Sequence, residues 1–337
     1  VVAVAALPPG PPPPPAAPVQ TGAVWRTEVP GHVQPPRPVP HEFGAGSLVD
    51  QVWYRAASLR PGCPVVAFSA ADGGVGRSTL VAAVGGVLAL ACPRPVLAVD
   101  LSGRAWGGLA HRIGSGGGGA SVWDAFCAAR AASQVGAPLA DRRIIEQYVH
   151  RGPTGLQALI GEAQMTQQRR PPVADEAVTL VGQLRHVYPL LLLDVPTADT
   201  AATWRMLVWA TVPVLVSRAT HDGLQHTMRL LAQLRAVGLT PVADRAVVVV
   251  AATTPSVARE VRAGEHQLRT VTRGLIRVPF DRALARPDPV DPRQLGRATR
   301  MALVEVAAAI LAWCPADPQA AQAASDPRTG RDGGTTP

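Results

Sequence analysis

A glycine-rich turn between an apolar run and a helical segment constrains the fold of this chain more than any other feature. The run Val65-Val66-Ala67-Phe68 leads into SAADGGVGRST at 69–79, and an apolar helical pattern continues to residue 91. Glycines in such a turn let backbone N–H groups wrap a phosphate, and the positive end of the helix dipole favours negative charge there. The segment therefore predicts a strand, a phosphate-binding loop and a helix.

From residue 64 onward, short apolar runs alternate with helical segments. This order predicts a parallel sheet with crossover helices, and continuous apolar runs indicate strands buried on both faces. The predicted strands are 64–69, 95–100, 189–194, 212–217, 246–251 and 275–279. The predicted helices are 77–91, 121–131, 174–187, 221–237, 255–264 and 291–313, the last with Asp291 as its N-cap. The expected fold class is α/β, a doubly wound, mostly parallel sheet.

The composition changes near Gly44. Of the 34 prolines, 13 fall in the first 40 residues, and such a stretch predicts an extended, polyproline-like arm rather than a packed core. After Trp313 the sequence predicts a disordered tail. The expected organisation is an arm at 1–45, one α/β domain at 46–314 and a tail at 315–337.

No segment has the character of a membrane span or a signal peptide. No apolar run reaches the ~18 residues needed to span a bilayer, and residues 1–6 lack a charged region and a cleavage site. The four cysteines show no C-x-x-C spacing, which favours reduced thiols over a disulfide or zinc framework. These features predict a cytoplasmic protein.

All 32 basic residues are arginine, and the formal net charge is +8. A chain without lysine is typical of a GC-rich genome, so one arginine in place of a lysine carries little weight. Five arginines at 255–277 have helical spacings of three and four: Arg259, Arg262, Arg269, Arg273 and Arg277. Two interpretations remain open, a solvated helix face and a surface for weak, non-specific contact with DNA phosphates.

The loop departs from a working Walker A sequence, G-x-x-x-x-G-K-[ST], in which the lysine reaches the β- and γ-phosphates. The corresponding positions hold Ala71, Gly76, Arg77 and Ser78. DGGVGRST instead resembles the deviant Walker A loop of the MinD/ParA family, K-G-G-x-G-K-[ST]-[ST]. Asp72 and Arg77 stand where that pattern has its two lysines.

The resemblance extends over about residues 62–313. VLAVDLSGRAWGGLAHRIG at 96–114 is similar to the family's second strand and switch I, and LLLLDVPTAD at 190–199 to its switch II strand. VPVLVSRATHDGLQHTMRLLAQLRAVG at 212–238 is similar to the next strand and long helix, and IRVPFDRALA at 276–285 to the segment that closes the nucleotide pocket. The resemblance implies a P-loop NTPase fold of the SIMIBI, MinD-like type that uses ATP and Mg²⁺.

The resemblance also implies roles for individual residues. The implied nucleotide-binding residues are Gly73, Gly74, Val75, Gly76, Arg77, Ser78 and Thr79, with Ser78 and Asp194 toward the metal. Asp100 and Asp194 are the implied catalytic carboxylates. Ser102 stands where the family has the second carboxylate of a D-x-D, and no asparagine for adenine recognition follows Ala251. These departures predict impaired ATP hydrolysis.

Two functions of different class remain open at this point. The chain is either a slow ATP-dependent homodimeric switch, positioning a secretion, septum or partition partner at the membrane or nucleoid, or a pseudo-ATPase scaffold that recruits partners without nucleotide. A proline-rich arm ahead of such a domain resembles EspI-like proteins encoded with type VII secretion systems. Asp72 favours the scaffold, because it reverses the charge of the lysine that would reach a dimer partner's phosphates. The intact Gly73–Gly76 core and Ser78 favour the switch.

Overall fold

The computed structural model describes residues 37–60, 62, 64–104, 108–115, 119–134, 142–166, 168–256 and 259–314. Residues 1–36 of the predicted arm, the predicted tail at 315–337 and Cys63 lie outside these described residues. Cys92 and Cys127 are free thiols. Within the described ranges, no helix combines the length and the apolar character needed to cross a membrane.

The long apolar runs form the central strands of one sheet. Within the described residues this sheet has eight strands. The strands are β1 (Val65–Ala70), β2 (Leu97–Asp100), β3 (His150–Arg151), β4 (Gln157–Leu159), β5 (Leu191–Asp194), β6 (Val212–Arg218), β7 (Val247–Ala251) and β8 (Gly274–Val278). Their order across the sheet is β3-β4-β2-β5-β1-β6-β7-β8. Every neighbouring pair is parallel except β3 and β4, which are antiparallel. The predicted α/β class and the six predicted strands are confirmed.

Helices cover both faces of this sheet. They are α1 (Ser47–Ala57), α2 (Arg77–Ala91), α3 (Gly108–Ile113), α4 (Val122–Gln134), α5 (Arg142–Glu146), α6 (Ala174–Leu184), α7 (Ala201–Trp209), α8 (His221–Ala236), α9 (Thr240–Arg245), α10 (Arg259–Val271), α11 (Arg282–Ala285) and α12 (Arg297–Ala312). Short 3₁₀ turns lie at His41–Phe43 and Pro292–Gln294. Each of the six predicted helices has a counterpart, although two differ from the prediction by more than three residues at one end or both.

Those two differences have local causes. The helix predicted over 255–264 begins at Arg259 and continues to Val271. The helix predicted over 291–313 is divided, because Asp291 caps the 3₁₀ turn by accepting from Arg293 N and α12 begins only after Gly296. Asp291 is therefore an N-cap, but of the 3₁₀ turn and not of the long helix.

Alternate residues of the buried strands supply two separate apolar cores. Val66 and Phe68 of β1 pack with α1, α2 and α12 on one face. Val65 and Ala67 pack with α4, α6 and α8 on the other. Burial on both faces is the reason why these strands are continuously apolar and do not alternate with polar residues.

The carboxyl ends of the central strands bring the predicted site together. β5 and β2 are neighbours, and β5 also pairs with β1, so the ends of all three strands lie at one edge of the sheet. Asp100 and Asp194 are register partners on β2 and β5. The glycine-rich turn leaves β1 at the same edge and enters α2. Ligands of doubly wound sheets bind at this edge.

The last residues of the predicted arm contact the domain. Phe43 is buried, and its ring centroid lies 5.2 Å from that of Trp53 on α1. Arg37 donates to the carbonyls of Ala89 at 3.2 Å and Pro93 at 3.4 Å. Val39 packs against the same core. Residues 37–43 thus pack on the α1, α2 and α12 face.

Candidate functional site

The backbone of the turn has the form of a phosphate-binding loop. Gly74 and Gly76 have φ values of +69° and +90°, a left-handed region that glycine enters without steric cost. Gly76 is also the N-cap of α2, a helix of 15 residues. Its first turn presents unpaired N–H groups and a partial positive charge to the space in front of it. The loop is therefore shaped to bind an anion.

Two cavities border this loop and share part of its lining. The first, the loop cavity, has a volume of about 490 Å³ and is lined by residues 72–79, Ser102–Arg104 and Pro196-Thr197, among others. The second, the side cavity, has a volume of about 300 Å³ and lies toward the ends of β7 and β8, with Ala251 and Phe280 in its wall. Gly74, Val75, Gly76, Thr79 and Arg112 line both cavities. Together they offer one phosphate-binding side and one largely apolar side.

Arg77 and Ser78, the first two residues of α2, both bind Asp194. Arg77 Nε donates to Asp194 Oδ1 at 2.5 Å, and Ser78 Oγ donates to Oδ2 at 2.5 Å. The side chain of Asp194 is fully buried and that of Arg77 is 14% exposed. The guanidinium in the Walker lysine position therefore forms an ion pair with Asp194 at the end of β5.

Ser78 and Asp194 also provide the oxygen donors that suit Mg²⁺. This ion is usually bound by one or two protein oxygens together with substrate phosphates. Among the described residues, no three His, Cys, Asp or Glu side chains cluster in a way that could hold a metal. The pair fits a Mg²⁺ that arrives with a phosphate ligand, and it does not form a complete metal site by itself.

Asp100, the other predicted catalytic carboxylate, lies deeper than the loop cavity. It is 1% exposed, and Asp100 Oδ1 accepts from the backbone N–H of Ser102 at 3.0 Å while Oδ2 has no partner. Burial, and next the charge of Asp194, raise the pKa of Asp100 to about 6. Ser102 lines the loop cavity and Asp100 lines neither cavity. A water in the loop cavity would meet Ser102 rather than the carboxylate.

The outer edge of the loop is held by β6 and α8. Asp72 Oδ1 lies 2.7 Å from Nδ1 of His226 on α8, with both side chains partly exposed. Arg218, at the end of β6, donates through Nη2 to the carbonyl of Gly74 at 3.0 Å. Carbonyls held toward Arg218 favour a loop whose amide groups point to the other side. The carboxylate of Asp72 is thus engaged by α8.

The structure adds four residues to the site that sequence reasoning missed. Arg104 and Arg112 line the loop cavity, while Arg218 and His226 hold the loop from outside. Arg104 and Arg112 lie within the switch I-like segment at 96–114, so the sequence did predict that this segment lies near the site. In a chain whose basic residues are all arginine, their type carried no signal.

The arginines of 255–277 do not act as one group. Arg259, Arg262, Arg269 and Arg273 are exposed. Arg277 is turned inward onto Glu265, with Nη2 2.6 Å from Oε2. Arg269 donates to the Leu275 carbonyl at 3.1 Å. The predicted patch therefore retains four of its five members at the surface.

Comparisons with known proteins give a fold but no family match. No protein-family model matches the chain, and no curated protein matches its sequence. Among solved structures, a ParA family ATPase from Chlorobium tepidum matches with a TM-score of 0.59 and 16% identity over 72% of this chain and 97% of that one. A MinC:MinD cell division complex from Aquifex aeolicus matches with a TM-score of 0.52 and 16% identity over 76% and 98%.

A third similar structure is a cobyrinic acid a,c-diamide synthase from Mycobacterium smegmatis with a bound ATP analog and magnesium. It matches with a TM-score of 0.51 and 16% identity over 74% of this chain and 94% of that one. At such identities the comparisons establish the architecture alone. The chain has the fold of the MinD/ParA-type P-loop ATPases.

Proposed function

We propose that this chain binds ATP with Mg²⁺ at residues 73–79 and acts as a nucleotide-dependent switch in which hydrolysis is slow or absent. The observation that carries the proposal is the loop itself, with left-handed Gly74 and Gly76 at the N-terminus of α2 and with Ser78 beside Asp194. A structure of the same fold contains an ATP analog and magnesium, which supports the choice of ligand.

Each part of the nucleotide has a place in this proposal. The loop N–H groups bind the phosphates, Thr79 contacts the phosphate nearest the sugar, and the side cavity receives the base. Ser78, with Asp194 behind it, holds Mg²⁺, which neutralises phosphate charge when bound. These are binding functions, and the residues that perform them are present in the chain.

The residues that would activate water are the weak part of the site. Ser102 occupies the loop cavity where the deviant Walker A family has a carboxylate, and a hydroxyl is a poor general base. Asp100 is buried behind it, and Arg77 is bound to Asp194. We therefore propose a deviant, degenerate ATPase site with residual binding and little turnover.

The proposed partners depend on Asp72 and on the similar structures. Asp72 stands where the family's dimer-bridging lysine would be, and its carboxylate contacts His226, so a nucleotide-bridged homodimer would be weakened. A MinD of the same fold is complexed with MinC. We propose a cytoplasmic protein that positions a secretion or septum component, with the arm-plus-domain architecture of EspI-like proteins.

A nucleotide-independent scaffold is the second candidate function. Two ion pairs favour it, Arg77–Asp194 and Asp72–His226. In each pair, a charged side chain that a triphosphate would otherwise contact is bound to another residue of the chain. A ParA-like role on DNA has only the exposed arginines of α10 in its support, and it ranks below both.

Calorimetric titration of the full chain with Mg-ATP, followed by single-turnover cleavage, tests the proposal. We expect saturable binding and cleavage near background. A matched variant, Ala71→Gly/Asp72→Lys/Arg77→Lys, should bind more tightly because it returns positive charge to the loop. Binding by this variant alone would favour the scaffold for the natural chain, and brisk cleavage by wild type would contradict an impaired site.

A further inference from the structure

If the loop cavity binds a triphosphate, it receives several negative charges, and the side chains of its own loop offer little positive charge to offset them. Asp72 is acidic, and Arg77 is paired with buried Asp194. Backbone N–H groups and a Mg²⁺ offset part of a triphosphate's charge, yet buried phosphate oxygens also require cationic partners. The structure contains two further arginines in the wall of the loop cavity, Arg104 and Arg112.

Arg112 is already occupied. It lies on α3 between the two cavities and donates through Nη1 to the carbonyl of Arg286. Burial lowers the pKa of Arg112, and nearby Asp288 partly opposes that effect. Arg112 is therefore bound to the segment that follows α11, and its guanidinium is only partly available.

Arg104 is exposed and has no hydrogen-bond or ion-pair partner among the described residues. It follows Gly103, whose φ of +74° turns the chain after β2. Its Nη2 lies 4.0 Å from the point where a Cβ on Gly73 would be. A guanidinium that no described side chain binds thus faces the first glycine of the loop from the opposite wall of the cavity.

The two cavities define which phosphate would lie near Arg104. The side cavity is lined by Thr79 and Leu80 but by neither Gly73 nor Arg104. A nucleotide with its base in the side cavity would run past Gly76 toward Gly73, so that its terminal phosphate reaches Arg104. The planar fork of arginine can bind two phosphate oxygens at once.

We propose that Arg104 binds the terminal phosphate of the nucleotide from within the same chain, and that it supplies the positive charge that Asp72 and Arg77 do not. This inference rests on the proposed nucleotide binding. It makes Arg104, four residues after the end of β2 at Asp100, the side chain that distinguishes a third phosphate from a second.

The test compares Mg-ATP, Mg-ADP and AMP by calorimetry on full-length wild type, Arg104→Ala, Arg104→Lys and the control Arg259→Ala, an exposed arginine on α10 that lines neither cavity. Arg104→Ala should weaken Mg-ATP about 10- to 100-fold, as expected for a charge-assisted hydrogen-bond pair. Mg-ADP should weaken less than about threefold and AMP should not change. Arg104→Lys should recover part of the loss, and Arg259→Ala should equal wild type.

The outcomes separate the two proposals. If wild type binds Mg-ATP and Arg104→Ala binds it equally well, the role of Arg104 is wrong and nucleotide binding stands. Equal losses for all three nucleotides would also overturn a terminal-phosphate role. If wild type binds none of them, the proposed function fails, and the role of Arg104 fails with it. A thermal melt of Arg104→Ala should match wild type, because the side chain is exposed.

Discussion

Arg77 Nε lies 2.5 Å from Asp194 Oδ1, and it is the cation that neutralises this fully buried carboxylate. The relationship joins the start of α2 to the end of β5. The residue in the Walker lysine position therefore stabilises the folded state by pairing with Asp194.

Removing that cation should destabilise the protein. Among the described residues, Arg77→Ala leaves buried Asp194 with the Ser78 hydroxyl as its one hydrogen-bonding side-chain partner. Breaking a buried pair in this way costs about 3 kcal/mol or more. Arg77→Lys, which keeps the charge, should lose less. Urea unfolding at pH 7 measures both, with the exposed Arg104→Ala as a control expected within about 0.5 kcal/mol of wild type. Equal midpoints for Arg77→Ala and wild type would show that the pair contributes nothing.

Asp100 should make stability depend on pH. Its pKa in the folded protein is raised to about 6 from an ordinary 3.8, so the unfolded chain loses this proton first. The resulting destabilisation is absent below pH 3.8 and complete above about pH 6. Asp100→Asn stays neutral throughout, so its advantage over wild type should grow between those limits to on the order of 2–3 kcal/mol.

Melting temperatures of wild type and Asp100→Asn at pH 4.5, 6 and 7.5 check this expectation. Asn Oδ1 can still accept from the Ser102 N–H, so the variant keeps this hydrogen bond. A constant difference across the three pH values would contradict it.

The sequence was sufficient for the central sheet because its strands are long and wholly apolar. β1, β5, β6 and β7 could be read directly, as could the loop between β1 and α2. β3 and β4 were not predicted, because strands of two and three residues show no period. β4 begins with Gln157, which is polar yet fully buried and hydrogen-bonded to the Tyr188 hydroxyl at 2.7 Å.

The loop's departures from the Walker pattern were readable, but the partners of the altered residues were not. Arg77 meets a carboxylate 117 residues away, and Asp72 meets a histidine 154 residues away. Such pairs arise only when the fold brings β5 and α8 to the loop. For the same reason, nothing in the sequence distinguished Asp100, which is buried, from a carboxylate exposed to the cavity.

Two deletions within the arm, of residues 1–36 and of residues 1–45, should affect the melting temperature differently. Deleting residues 1–36 should leave the melting temperature unchanged, because their proline-rich sequence predicts an extended arm and no packed core. Deleting 1–45 also removes Phe43, and burial of such a ring contributes about 1.5–3 kcal/mol. That loss corresponds to a drop of several degrees for a domain of this size. Phe43→Ala in the full chain is the matched control, and equal melts for the two deletions would show that residues 37–45 contribute no stability.

The exposed arginines of α10 and its C-terminal side should support at most weak binding to DNA. The Arg259→Ala/Arg262→Ala/Arg269→Ala/Arg273→Ala variant should lose whatever gel shift wild type gives. Binding through phosphates should weaken steeply when the salt concentration rises from about 50 to about 200 mM, because such binding releases counterions. Arg277→Ala is the control, since this side chain is paired with Glu265. Identical shifts for wild type and the quadruple variant would exclude this surface.

The side cavity should accept different bases almost equally. Its wall is mainly apolar, and its charged side chains are occupied: Asp281 accepts from Ala283 N at 2.9 Å and from Gly296 N at 2.8 Å, while Arg112 donates to Arg286 O. Among the described residues in its wall, none is an asparagine or glutamine that could read a base edge. An apolar pocket distinguishes ligands far less than one built to hydrogen-bond them.

We therefore expect the dissociation constants of Mg-ATP, Mg-GTP and Mg-CTP to lie within about tenfold of one another, because shape and apolar contact distinguish bases only weakly. Phe280→Ala should weaken all three by a similar factor, about three- to tenfold, because it removes contact surface rather than a hydrogen bond. Competition calorimetry on the full chain measures these ratios. A preference for Mg-ATP of more than about 100-fold would require base-edge hydrogen bonds, which in this cavity would come from the Thr253 hydroxyl or from backbone groups near Ala252 and Pro279.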